Sequence, residues 1–291
     1  MKARAGVRYL NATGRRWLAG PSFSTQAMAA DPMVRADGTK PTGNKMGFQM
    51  ATISPVYRDW VNGDDGSNPI ADVGCAFGIN SIAAAQAGHQ VVAVDMTDEN
   101  FANIEQEIAA KGIQEKVCTR LGALPDDLSA LENGYYSSIL VAEVLHFLRG
   151  SEIKPALDTL SEKLVPGGTL AMTVVSRRKF LDSLGGPVKE RIEQRMEAGE
   201  KYPGELENYD KLIMERLKDN DANFCDWKDR LECMPSLFHL FLREEWNGPG
   251  GFLENTHFGI KFCDYIHHPG YPSSYRPLKN HCIGIVLQKQ V

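Results

Sequence analysis

An α/β fold built on a doubly wound, mostly parallel sheet is predicted by three features of the sequence. Residues 70–96, IADVGCAFGINSIAAAQAGHQVVAVDM, read as a complete strand, turn, helix and second strand. Short apolar runs at 117–121, 138–148 and 169–175 alternate with segments of helical periodicity, the order that parallel strands with crossover helices impose. Pro166, Gly167 and Gly168 form a turn between the helical pattern at 153–164 and the last of these runs.

Taken in order, the first thirty residues carry Lys2, Arg4, Arg8, Arg15 and Arg16 and no acid before Asp31. A basic, acid-free leader suits either an organelle transit peptide or a bacterial N-terminal extension; the expected compartment is the cytoplasm, or the mitochondrial matrix on the first reading. Residues 31–45 are polar and rich in Gly and Pro, and with the leader they make an expected flexible segment, 1–45. Residues 46–61 are richer in apolar and aromatic side chains and are expected to form helical pieces, with Pro55 starting or kinking one of them. Phe48, Met50, Tyr57 and Trp60 there are expected to pack against the sheet, with covering a cofactor or shaping a substrate pocket as the alternatives.

Within 70–96 the first strand is apolar except for Asp72, the turn from Gly74 to Gly78 is made of small residues, and the helix after it is alanine-rich. Gly88 is placed as its C-cap, and a β-branched run then ends in Asp95. A buried strand, a glycine turn feeding a helix N-terminus and an acid about twenty residues on form a nucleotide cradle. Two cofactor classes compete for it. A dinucleotide turn, G-x-G-x-x-G from Gly74, would need glycine where Ala76 and Ile79 stand. The pattern D-x-G-x-x-x-G fits better, with Asp72 closing the strand ahead of Gly74 and Gly78.

On these residues the chain resembles the class I methyltransferases that depend on S-adenosylmethionine (SAM), whose pattern D/E-x-G-x-G-x-G is met at Asp72, Gly74 and Gly78, with Ala76 at the middle position. The resemblance implies a Rossmann-like, seven-stranded sheet with an antiparallel last strand, and SAM as cofactor. Glycines let the backbone approach the cofactor without an intervening Cβ, and the Asp95 carboxylate accepts both ribose hydroxyls. The implied cofactor contacts are Asp72, Gly74, Ala76, Gly78, Asp95, Met96, Gly122, Ala123 and Glu143.

Phe101, Ile104 and Ile108 then recur at helical spacing, with Thr97 or Asp98 as N-cap and Gly112 after the end. Where the resembled family places an acidic motif against the adenine, this chain has Gly122 and Ala123, with Asp126 and Asp127 further on. The run 138–148, SILVAEVLHFL, begins as a fourth strand. Ligands of open α/β sheets sit at the carboxyl ends of the strands, so Glu143 and His146 are the titratable groups placed to face a substrate. For His146 the alternative is a histidine packed at a helix start. Residues 177–246 are dense in charge and helical in pattern, and are read as a helical cap inserted over the active-site face. Residues 252–265 and 281–287 supply the last two strands, an antiparallel hairpin that completes the core within 247–291. Between them lies a Gly/Pro/Ser loop with His267, His268, Tyr271, Tyr275 and Arg276.

Composition narrows the function. With 291 residues and 43% hydrophobic content the chain supports a large core, and residues 46–176 are expected to be the SAM-binding part of it. A net charge of -5 argues against a nucleic-acid substrate, as does the lack of an N/D-P-P-Y/F segment after the fourth strand. No window reaches the roughly twenty apolar residues of a membrane span. The six cysteines form no C-x-x-C pair, so neither a disulfide framework nor a metal site is expected, and His267, His268 and Cys263 lack diagnostic spacing. The expected activity is methyl transfer to an O, N or S atom of a small-molecule acceptor, achieved mainly by alignment, with Glu143 or His146 as the base where one is needed. A SAM-binding module with little or no catalysis, acting through a protein partner, is the alternative.

Overall fold

The computed structural model describes residues 34–217, 228, 230–232, 234–272 and 280–291, and the backbone of two short paired strands, Arg8–Leu10 and Arg16–Leu18. The rest of the leader, Cys225, Cys233, Tyr275 and Arg276 lie outside the described residues.

Burial on both faces explains why the strands read as near-continuous apolar runs. Seven of them, β1 (Ile70–Val73), β2 (Val91–Asp95), β3 (Val117–Leu121), β4 (Tyr136–Ala142), β5 (Leu164–Val175), β6 (Phe258–Ile266) and β7 (Cys282–Lys289), form one sheet in the order β6-β7-β5-β4-β1-β2-β3. Six strands run parallel, and β7 lies antiparallel between β5 and β6. The strand order reverses between β1 and β4, and in such sheets ligands bind outside the carboxyl ends at that point.

The helices are α1 (Tyr57–Asn62), α2 (Ile79–Gln86), α3 (Phe101–Ala110), α4 (Gly150–Lys163), α5 (Gly186–Glu197) and α6 (Tyr209–Leu217). Alternation along β1 sends Ala71 and Val73 to one face, where they meet Ile139, Val141 and the α4 residues Ile153 and Leu157. Ile70 goes to the other face, with Trp60 of α1, Ile82 of α2 and Ile104 and Ile108 of α3. Each such side chain stabilises the fold by about 1.5–3 kcal/mol relative to exposure.

Five expectations need correction. Residues 34–45, expected in the flexible leader, are packed, with Thr39 and Lys40 buried. Their contacts are with residues far along the chain, which local composition does not register. Residues 46–61 hold one helix only, the six-residue α1; Phe48–Gln49 instead pairs with Lys40–Pro41, closed by a turn in which the Asn44 side chain accepts the Met46 N–H at 3.0 Å. α3 starts at Phe101 rather than after Thr97 or Asp98, because the intervening residues are held in a turn: Asp95 Oδ1 accepts the Thr97 N–H at 3.4 Å and Thr97 Oγ1 accepts the Glu99 N–H at 3.3 Å. The segment 177–246 is not wholly helical, since Glu205–Leu206 pairs with Phe238–His239. Pro166, Gly167 and Gly168 fall within β5, and the β4–β5 register shifts between Tyr136 and Ser138 to absorb them.

After β5 a π-helical turn, Lys179–Leu184, leads into α5 and α6, which build a third apolar cluster from Phe180, Val188, Ile192, Tyr209, Ile213 and Phe238. One polar tie inside the sheet fixes α2 against β1: the Ser81 hydroxyl donates to Asp72 Oδ2 at 2.6 Å. Asp72 is fully buried there, and burial pushes its carboxyl up to about 6.

A pH prediction follows from the sign of that shift. A carboxyl raised in the folded state contributes stability that is complete below its ordinary value near 4 and is lost as pH rises through about 6. Asp72→Asn removes the buried charge and keeps an acceptor for Ser81. It should raise stability at pH 8 by up to about 3 kcal/mol, the gain vanishing near pH 4, measured by denaturant titration at several pH values. A variant less stable than the parent at pH 8 would show that the ionised carboxylate is required.

Candidate active site

The carboxyl ends of β1, β2, β4 and β5 open into a cavity of about 470 Å³. At one end it is lined by the turn after β1 (Gly74, Cys75, Ala76), by Asp95 and Met96 after β2, and by Gly122, Ala123, Leu124 and Pro125 after β3. The turn is tight. Gly74 and Gly78 adopt left-handed backbone (φ 78° and 74°), and Ala76 does so as well at φ 49° despite its Cβ. That conformation aims the Ala76 N–H at Asp95 Oδ2, 2.9 Å away, while the Gly74 and Cys75 N–H groups donate to the Val94 carbonyl at 2.8 and 2.9 Å.

Asp95 thus has a backbone donor on each oxygen, Ala76 on one and Thr97 on the other. A carboxylate oxygen accepts more than one bond, so both retain capacity for further donors at the cavity wall. Burial pushes the Asp95 carboxyl above its ordinary range, against which the Ala76 and Thr97 N–H groups pull it down. A carboxylate with two free acceptor positions beside a turn that presents backbone rather than side chain fits a ribose diol and its attached chain.

The other end of the cavity is built around Glu143, the residue that follows β4. Glu143 has φ 59°, an uncommon conformation for a residue with a side chain, and one that costs on the order of 1 kcal/mol. Its carboxylate accepts from the Tyr271 hydroxyl at 2.6 Å (Oε2) and from the Cys282 thiol at 3.3 Å (Oε1). Burial raises the Glu143 carboxyl, and these two donors oppose the rise. Lys179, on the π-helical turn beyond β5, also lines the cavity; burial brings its ammonium down to about 7, opposed by the charge of Glu143.

His146 lies on a 3-10 turn, Leu145–Phe147, its ring stacked on Phe238 at 4.5 Å and edge-on to Phe147 at 4.1 Å. Its Nδ1 is 3.8 Å from Glu143 Oε2. Burial holds the imidazole far below its ordinary value, with Lys179 and His239 adding to the effect, so it is neutral and the two groups form no ion pair.

Of the residues singled out in the sequence, Gly74, Ala76, Asp95, Met96, Gly122, Ala123, Glu143 and His146 line this one cavity. Asp72 and Gly78 lie outside its lining: Asp72 is held by Ser81, and Gly78 precedes α2 at a point where a side chain would meet Ile104. Asp127 lies behind the lining too, where its backbone forms a bridge to Ala123. Among the described residues, no three His, Cys, Asp or Glu side chains are placed to hold a metal ion, and Cys75, Cys118, Cys263 and Cys282 are not in disulfides. The ring nitrogens near His267 are used internally, His281 Nε2 accepting the His268 N–H at 3.1 Å.

Sequence reasoning missed Lys179, although the rule that pointed to Glu143, proximity to a strand's carboxyl end, applies equally after β5. It also missed Gln49. The Gln49 side chain lines the cavity and accepts the Ile79 N–H at 3.2 Å, capping α2 from a segment thirty residues upstream. No local signal marks such a cap.

Residues 71–170 match the family model described as "Methyltransferase domain". No curated protein sequence matches the chain. Among solved structures, a SAM-dependent methyltransferase from Methanosarcina mazei superposes with a TM-score of 0.56 at 16% identity, over 82% of this chain and 99% of that one. The 1,6-didemethyltoxoflavin-N1-methyltransferase of Burkholderia thailandensis, with its substrate and S-adenosylhomocysteine, gives 0.50 at 17% identity over 81% and 77%. The geranyl diphosphate C-methyltransferase of Streptomyces coelicolor A3(2) gives 0.50 at 10% identity over 81% and 78%. The chain therefore carries a methyltransferase domain with the fold of the class I SAM-dependent enzymes, and the dinucleotide alternative is set aside.

The left-handed Ala76 yields a direct test. Ala76→Gly removes a strain of about 1–2 kcal/mol in the folded state and adds up to about 1 kcal/mol of chain entropy to the unfolded one. The variant should melt at the parent temperature or a few degrees above it and bind SAM at least as tightly, as read by thermal denaturation and isothermal titration.

Proposed function

We propose that this SAM-dependent methyltransferase transfers the methyl group to an O, N or S atom of a small, largely apolar acceptor, with Glu143 receiving the acceptor's proton. The observation that carries the proposal is the single cavity that joins the Asp95 end to the Glu143 end. The second end is walled by Met50, Phe147, Tyr209, Met234, Leu237 and Phe238. Aromatic rings and thioethers of this kind hold an apolar body by area and shape, leaving few polar groups to fix its orientation. That a protein of the same fold methylates a nitrogen of 1,6-didemethyltoxoflavin is in keeping with a small-molecule acceptor.

When bound, SAM supplies a methyl group already activated on a sulfonium. The chain's own residues then have three tasks. Asp95 grips the ribose hydroxyls and fixes the direction of the cofactor. The apolar walls exclude water and hold the acceptor in line, which is catalysis by proximity. Glu143 takes a proton from a hydroxyl or ammonium acceptor as the new bond forms. Of the two candidates for that role the carboxylate is favoured, since burial raises the Glu143 carboxyl and lowers the His146 imidazole, and Glu143 is the group held by Tyr271 and Cys282.

Two variants separate the tasks. Asp95→Ala should weaken SAM binding by about 10- to 100-fold, through the loss of two charge-assisted hydrogen bonds. Glu143→Gln should leave SAM affinity nearly unchanged and lower kcat by about a hundredfold or more with an acceptor drawn from a small-molecule panel. In the parent, kcat/KM should rise with pH through one ionisation above the usual carboxylate range, since the base must be deprotonated; Gln at 143 should abolish that limb. Parent-like turnover in Glu143→Gln would remove the carboxylate from the chemistry, and parent-like SAM affinity in Asp95→Ala would remove it from the cofactor site.

A further inference from the structure

Between the leader and α1 the chain crosses the cavity. Thr42, Met46, Phe48, Gln49 and Met50 form part of its wall, and the crossing segment touches both ends of the site. Toward the cofactor end, Gln49 accepts the Ile79 N–H and the Ser54 N–H donates to Asn80 Oδ1 at 2.8 Å. Toward the acceptor end, the Ala51 N–H donates to the Gly270 carbonyl at 3.0 Å, next to the Tyr271 that holds Glu143. The segment's two-residue strands pair with each other and not with the seven-stranded sheet. Its attachment to the core therefore runs through individual hydrogen bonds and side-chain contacts rather than a strand ladder.

The strongest attachment is ionic. Arg230 Nη2 lies 2.5 Å from Asp37 Oδ2, with the two side chains only 1% and 8% exposed. Arg230 Nη1 donates to Thr39 Oγ1 at 2.8 Å, and Thr39 in turn donates its N–H (3.1 Å) and hydroxyl (2.7 Å) to Asp37 Oδ1. The Arg230 guanidinium also lies 5.4 Å from the centre of the Phe48 ring, so one cation grips both the start of the segment and a residue of the cavity wall. Arg230 belongs to the region between α6 and β6 that also supplies Met234 and Leu237 to the acceptor end.

We propose that residues 34–54 are a strap that closes the cavity over both substrates, and that the Arg230–Asp37 pair is the latch that keeps it closed. A buried ion pair suits that task. Intact, its geometry is specific; opened, each charge regains its hydration, so the desolvation surrendered on closing offsets much of the Coulomb loss on opening. An apolar seal of the same area would lack that compensation. Arg230 and Asp37 are thus positioning residues, acting on the reactants through Phe48, Gln49 and Met50. The proposal rests on the SAM-dependent reading of the cavity.

The test uses the full chain and measures dissociation of S-adenosylhomocysteine by stopped flow, with tryptic cleavage after the exposed Lys45 as a readout independent of cofactor. Arg230→Gln should release S-adenosylhomocysteine about tenfold faster and be cut after Lys45 faster, while Lys154→Ala, in an exposed pair on α4, should match the parent in both. KM for SAM should rise more than kcat falls. A folded Arg230→Gln with parent-like dissociation and cleavage overturns the latch, whatever its melting temperature. Should Arg230→Gln fail to fold, Asp37→Asn is read in the same way; failure of both marks the pair as a structural tie and overturns the proposal. A parent protein that binds neither SAM nor S-adenosylhomocysteine overturns the cofactor reading first, and the strap with it, before any variant is made.

Discussion

The hydrogen bond from the Ala76 N–H to the Asp95 carboxylate joins the carboxyl ends of β1 and β2, and the cofactor end of the cavity depends on it. Two costs meet there. A mostly buried carboxylate loses hydration, and an alanine in the left-handed region is strained by about 1–2 kcal/mol. A hydrogen bond to a charged group contributes about 1.5–3 kcal/mol, more than the strain, so the turn keeps its shape without a glycine at its centre. Because the donor is backbone, no side chain is interposed between Asp95 and the cavity, and the remaining lone pairs stay available to a ligand.

Three acids sit on or near the central strands, and their surroundings divide the work among them. Asp72 is buried with one hydroxyl partner and serves the packing of α2 on β1. Asp95 lines the cavity wall and receives backbone N–H groups on both oxygens. Glu143 receives a phenol and a thiol and faces Lys179, whose ammonium burial brings near neutrality. Burial raises all three, and the donors decide how far each stays raised. Holding Glu143 in a left-handed backbone has the same logic as the strain at Ala76: the outlier is retained at the cavity wall, where the carboxylate meets Tyr271 and Cys282.

The parts of this arrangement that are legible in the sequence are those written by periodicity and turn chemistry. The β1-α2-β2 unit could be placed nearly to the residue, because an apolar run, a glycine turn and an alanine-rich helix are all local signals. The same holds for Glu143, which follows from where an apolar strand stops. What was not legible is what long-range contact decides. Residues 34–45 look like a linker by composition, and they are ordered by an arginine nearly two hundred residues downstream. The start of α3 was misplaced because side-chain hydrogen bonds from Asp95 and Thr97 compete with helix formation over the preceding turn. Asp72 fits the family motif by position, yet its orientation toward Ser81 depends on strand alternation and on which face α2 covers, and the motif encodes neither.

The two ends of the cavity also differ in where their residues come from, and this bears on how far kinship of fold can reach. The cofactor end is made by turns after β1, β2 and β3, inside the stretch 71–170 that matches the methyltransferase domain. Apart from Glu143, His146 and Phe147, the Glu143 end is made by Met50, Lys179, Tyr209, Met234, Leu237, Phe238 and Tyr271, all outside it. A parallel sheet fixes its carboxyl-end turns rigidly, so that cofactor geometry is bound to the fold. Segments that reach the cavity from outside the matched stretch are tied by single side chains and short pairings, and they can change residue by residue without disturbing the sheet. Shared fold at 10–17% identity therefore reaches the turns that the sheet positions, and not the walls that this chain adds to them.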